Sequence, residues 1–140
     1  MKHSIVNRLI IGKSIGFVAG LLAFLIMPFM GATLDLKFGL GMVLLYTMVG
    51  AFIAFMGIFE RHPVLKFKMP WWFTGIYMGL IMHLILILLS YDQLVLMMQQ
   101  MDIWGMVSPW WVLIDGSILG LIIAFAATKF SGEGKKLPLE

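Results

Sequence analysis

Four runs of about twenty apolar residues, separated by short polar or charged breaks, govern what this chain can become. A hydrocarbon core of ~30 Å takes ~20 residues of helix to cross. Within it, each backbone N–H and C=O must be satisfied without water, which restricts a spanning segment of this length to helix. The runs predict four membrane-spanning helices, at about 9–30, 38–59, 70–89 and 109–130. Their ends carry helix punctuation. Pro28 closes the first, and the cluster Glu60-Arg61-His62-Pro63 stops the second. Pro70 opens the third and Ser108-Pro109 the fourth, because a first-turn proline lacks an N–H that would go unpaired anyway.

The composition leaves little alternative. The chain is 61% hydrophobic and 12% charged, against ~25% charged in an average soluble domain. A soluble fold of 140 residues would have to expose too much of that apolar surface to water. The reading is an all-α integral membrane protein, a single four-helix transmembrane domain over 1–140 in an antiparallel up-down bundle. The lipid bilayer is its first partner. Lys2 and Arg8 precede the first run, as in a signal peptide. That run exceeds the usual ~7–15 residues and no Ala-x-Ala site follows, so a retained helix is expected.

The cations set an orientation. Lys2, Arg8 and Lys13 lie at the amino end, Arg61, Lys66 and Lys68 beside the loop after the second span, and Lys129, Lys135 and Lys136 at the carboxyl end. The other two loops hold Lys37 with Asp35, Asp92 and Asp102. The positive-inside rule then predicts a cytoplasmic-membrane protein with both termini cytoplasmic. Trp71 and Trp72 mark the inner interface, and Trp104, Trp110 and Trp111 the outer one. Lys13 can snorkel to the inner interface and is given no role. The corner from Glu60 to Pro63, with Lys66 and Lys68, reads as a solvated topogenic loop, the alternative being a lipid-headgroup site.

Between the third and fourth spans, "DQLVLMMQQMDIW" is apolar without being long enough to cross. Leu94, Met97, Met98 and Met101 share one helical face, which predicts a short helix on the outer surface. Three nearby thioethers suit Cu(I), but thirteen methionines spread along the chain favour ordinary apolar filling. No metal or cofactor is expected.

Small residues supply the packing code. Gly12, Gly16 and Gly20 recur every four residues in the first span, as do Gly75 and Gly79 in the third and Gly116 and Gly120 in the fourth. Gly50 lies with Thr47, Ala54 and Gly57 in the second. Such stripes let helix backbones approach closely. They serve either a bundle within one chain or a second copy or another membrane protein; spacing does not distinguish these.

The two halves resemble each other. "IGFVAGLLAFLI" lies over "TGIYMGLIMHLI" when Gly16 is set on Gly75, and "TMVGAFIAF" lies over "SILGLIIAF" when Gly50 is set on Gly120. Two repeated helical hairpins, an arrangement known among transporters, is one reading; chance among low-complexity apolar segments is the other. In this alignment His83 replaces Phe24, and Asp115 replaces Leu45.

His83, Asp115 and Tyr46 fall at similar depths in the outer half of three spans. At 1.5 Å per residue, His83 is ~18 Å from the Trp71 level, Asp115 ~7–8 Å from the Trp110 level and Tyr46 ~12 Å below Phe38. Intramembrane ionisable groups are costly and by default mark function. The expected arrangement has Asp115 accepting from His83 and Tyr46 donating to a remaining acceptor. Two uses fit: polar glue between helices three and four, or a proton or cation site in a narrow cleft open outward.

Other function classes lose ground. Without cysteine there is no disulfide, thiolate or Cys-based haem or zinc site. No Ser-centred triad or His-Glu-x-x-His spacing occurs, so no enzyme is expected. A net charge of +3 is weak grounds for a nucleic-acid partner, and none is expected. Small four-span drug exporters carry an acidic residue in their first helix, which this chain lacks. The best reading is a transport or channel-type protein, the alternative an accessory or scaffold subunit of a larger membrane complex.

Overall fold

A computed structural model describes residues 4–59, 61, 66–101, 105 and 107–132. Four long helices account for most of them: α1 (Ile5–Ile26), α2 (Leu36–Met56), α3 (Trp71–Met101) and α4 (Val112–Ser131). All four are long and apolar enough to cross a membrane. No strand forms among the described residues, apart from an isolated bridge between Arg61 and Lys68.

The local chemistry explains the ends. Ser4 caps α1, its hydroxyl accepting from the Asn7 N–H at 3.1 Å. After Ile26 the chain tightens into a 3-10 turn, Met27–Met30, around Pro28. Gly31 at φ 97° then breaks it in the left-handed region, where a side chain is penalised. A second 3-10 turn, Pro109–Trp111, leads into α4. Helix α1 starts four residues before the expected span, because Ser4 and not the first apolar residue sets its beginning. Helix α2 stops three residues early, at Gly57.

Helix α3 differs most from expectation. Its 31 residues would reach ~46 Å if straight, well beyond a ~30 Å core. Ser90, at φ −132° and ψ 29°, interrupts the helical geometry and redirects the chain beyond it. The separate helix expected on the outer surface is therefore the kinked end of α3. It does not merely rest on a surface. Leu94 is 4% exposed and Met97 1%, packed with Ala32, Met42, Leu86 and Ile87. Gln100 ties this end to the first interhelical loop: its side-chain oxygen accepts from the Thr33 N–H at 2.8 Å, and its amide nitrogen lies 2.8 Å from the Thr33 hydroxyl.

Helices α1 and α2 form one close pair, α3 and α4 another, and the pairs meet chiefly where α1 packs on α4. Glycine makes the closeness. Gly12 lies against Gly50 and Ala54, Gly16 against Tyr46 and Gly50, and Gly20 against Val43 and Tyr46. In the second pair Gly75 lies against Gly120 and Ala124, and Gly79 against Gly116 and Gly120. Numbers rise along one helix as they fall along its partner. A Cβ at Gly16 or Gly79 would run into the carbonyl oxygen of Tyr46 or Gly116, which is backbone and cannot swing away. Of the nine glycines singled out in the sequence, eight are buried within the chain, and Gly57, at the end of α2, is half-buried. Large apolar side chains such as Phe17, Leu44, Leu88 and Ile118 face outward, where lipid imposes no penalty.

Candidate functional site

His83 continues the Gly75–Gly79 stripe of α3 and is 2% exposed. Its place opposite Gly116 of α4 exists because that residue has no side chain; a Cβ there would collide with the imidazole. The ring's Nδ1 lies 2.8 Å from the Gly79 carbonyl oxygen one turn earlier, which fixes Nδ1 as the N–H donor in the neutral ring. Nε2 is then left with a lone pair. It is buried and has no hydrogen-bond partner among the described residues.

Tyr46 of α2 meets His83 across the junction of the two helix pairs. Their rings are 5.3 Å apart between centroids and nearly perpendicular, at 88°. The tyrosine is 6% exposed, and the Asp115 carboxylate of α4 is the charge that acts on it. Asp115 sits in the first turn of α4, where the helix dipole favours an anion. It is exposed, yet its charge acts on both Tyr46 and His83. The three residues marked from sequence thus come together, with one correction. Asp115 does not accept from His83. The imidazole N–H takes the carbonyl of its own helix, which is always one turn away, while Asp115 stands at the rim beside Tyr46.

Among the described residues, the surroundings of the ring pair are apolar. Towards the Ser108 end, Met42, Leu86, Ile87, Leu94 and Met97 lie beyond the ring pair. Towards the Arg8 end, Val49, Ile53, Met78, Ile123 and Ala124 form a second apolar cluster. Two depressions lined by described residues, of about 370 and 280 Å³, lie on the outer face of α1 around Val18 and between α3 and α4 around Leu80 and Ser117. Neither includes His83, Tyr46 or Asp115. Met97 and Met101 pack into the first cluster as apolar filler.

No family model matches this chain, and neither does any curated protein or solved structure. Its chemistry has to be read from its own residues.

One of those was missed in the sequence. Arg8, counted there among orienting cations, is fully buried. Its Nε donates to the Ala54 carbonyl at 2.8 Å, one terminal nitrogen to the Gly132 carbonyl at 2.8 Å, and the other to the Thr128 hydroxyl at 3.3 Å. The guanidinium therefore binds the carboxyl-terminal ends of α2 and α4, where orphan carbonyls and the dipole both favour a cation. The Ser131 hydroxyl donates to the Ser4 carbonyl alongside, at 3.2 Å. Arg8 precedes Gly12, Gly16 and Gly20 by the same step of four, and that register was the available signal. Of the Glu60–Pro63 corner only Arg61 is among the described residues.

Proposed function

We propose that this chain is a non-enzymatic, multi-pass protein of the cytoplasmic membrane, of the transport or channel type, working through an intramembrane site made by His83, Tyr46 and Asp115. The supporting observation is the unpartnered Nε2 of a buried histidine at the junction of two helix pairs. An unsatisfied buried polar atom costs ~1–3 kcal/mol. Glue between helices would spend that nitrogen on a bond across the interface. Leaving it open keeps a binding position. The basic residues at the Arg8 end make that end cytoplasmic under the positive-inside rule.

The close pairs are read as two repeated hairpins in an antiparallel up-down bundle, in a register one turn away from the sequence alignment. With Gly50 matched to Gly120, contacts match Gly12 to Gly75 and Gly16 to Gly79. His83 then stands where Gly20 stands in the first half, and Gly116 where Tyr46 stands. Bulk and glycine have changed sides, so the two rings meet between the hairpins. Apolar clusters on both sides make this a closed form, and ion passage requires one hairpin to move against the other. An accessory or scaffold role draws less support, because the glycine faces it would offer a partner are filled from within the chain.

Reconstitution in liposomes tests the reading. Wild-type protein dissipates a proton or monovalent-cation gradient, and His83→Ala and His83→Gln abolish this at unchanged insertion. Variants that lower the melting temperature but conduct as well as wild type would return His83 to the role of glue.

A further inference from the structure

We infer that the ligand of the His83 site is a single proton, bound at Nε2 and exchanged with the Ser108 end through Asp115. The inference rests on the functional reading above and names its substrate. Space argues first. His83 fills the gap over Gly116 so closely that not even a methyl group could be added there, and the Tyr46 ring stands edge to face at 5.3 Å. A hydrated metal cation or an organic cation needs several oxygen or nitrogen ligands around a void; here the orphan nitrogen is buried, and the imidazole packs against the Tyr46 ring. A proton needs only the lone pair.

Charge argues second. Among the described residues, the titratable groups near His83 are Tyr46 from α2 and Asp115 from α4. Helix α1 brings Ala19 and Ala23 to this cluster, and the kinked end of α3 brings Leu94 and Met97. On protonation Nε2 gains the hydrogen, Nδ1 keeps its bond to Gly79, and the new imidazolium has the Asp115 carboxylate as its counter-charge. Asp115 is the exposed member, in the first turn of α4 towards the Ser108 end. Tyr46 contributes its ring, edge to face against the imidazole.

The polar path ends at His83. Beyond it towards Arg8 the buried cluster among the described residues is apolar: Val49, Ile53, Met78, Ile123 and Ala124. The proton is therefore held at this depth until the hairpins shift, and does not run straight through.

Histidine ¹⁵N NMR in lipid nanodiscs tests this directly, in a His3→Gln/His62→Gln background that leaves His83 as the one histidine. The expected spectrum is the Nδ1–H tautomer at high pH, converting to imidazolium as one proton is taken up on acidification. Asp115→Asn, at an exposed position, lowers the midpoint by about one pH unit through loss of the counter-charge. A ring that stays neutral from pH 9 to pH 4, or one whose signals respond to sodium or potassium at fixed pH, overturns the proton as ligand. Liposome flux separates this from the wider reading. Potassium flux that depends on His83 without titration of the ring keeps transport and refutes the proton. Titration without any flux supports the proton and removes transport.

Discussion

Replacing Arg8 is the sharpest test of the fold. Among the described residues its guanidinium makes three hydrogen bonds to the ends of two other helices, at 2.8, 2.8 and 3.3 Å, from a fully buried position. Arg8→Ala removes them and leaves the Ala54 and Gly132 carbonyls unpaired. Each stranded group costs ~1–3 kcal/mol, so the two carbonyls together cost ~2–6 kcal/mol. The expected loss is about 2–6 kcal/mol, a large share of the ~5–15 kcal/mol that holds a folded protein together. Arg8→Lys is the decisive companion. It keeps the positive charge, but its point charge cannot span acceptors on α2 and α4 at once. Reversible unfolding in mixed detergent micelles gives both free energies, and reporter fusions give the topology. A lysine variant with normal topology that has lost at least half of the alanine effect supports the reasoning. Alanine within ~0.5 kcal/mol of wild type, inside the range of ordinary surface substitutions, would refute it.

Other substitutions probe separate parts of the molecule. Gly79→Ala, whose Cβ would strike the Gly116 carbonyl, is expected to cost ~1–3 kcal/mol by overpacking. Gly41→Ala has no neighbour within 4 Å and is expected to be neutral or slightly stabilising, and the same unfolding assay reads both. Ile53→Ala, at a wholly buried position, should lose ~2–5 kcal/mol. Gln100→Ala should leave global stability nearly unchanged while speeding amide exchange over residues 91–101, as hydrogen-exchange mass spectrometry would show; unchanged exchange there would mean that the contact with Thr33 does not hold this end down. In a chain with no native cysteine, Ser4→Cys/Ser131→Cys is expected to form a disulfide on mild oxidation, because the Ser131 side chain already reaches the Ser4 backbone.

The sequence made the four long helices legible because span length and apolar purity are set by the solvent and not by tertiary detail. The buried glycines were legible for a related reason: lipid offers helices no hydrophobic drive to associate, so close approach has to be written in small residues. His83 followed from lying on such a stripe. The bond it makes did not, because the choice between the Gly79 carbonyl and Asp115 depends on ring rotation and on where α4 begins. The bend at Ser90 carries no proline or glycine signal, so the fate of Leu94 and Met97 was hidden. Arg8 was obscured by a competing rule, since a cation at the start of a first span ordinarily serves orientation.

The burial of Arg8 bears on biosynthesis. Its acceptor at Gly132 lies 124 residues further along the chain. At ~5–20 residues per second, translation takes on the order of 6–25 s to supply that carbonyl. Throughout this interval the guanidinium of the nascent first helix lacks its Thr128 and Gly132 acceptors, which arrive with the last described helix. Products truncated before that point lack both acceptors, and the bond between the first helix and the end of α4 becomes a chemical difference between an unfinished chain and a finished one.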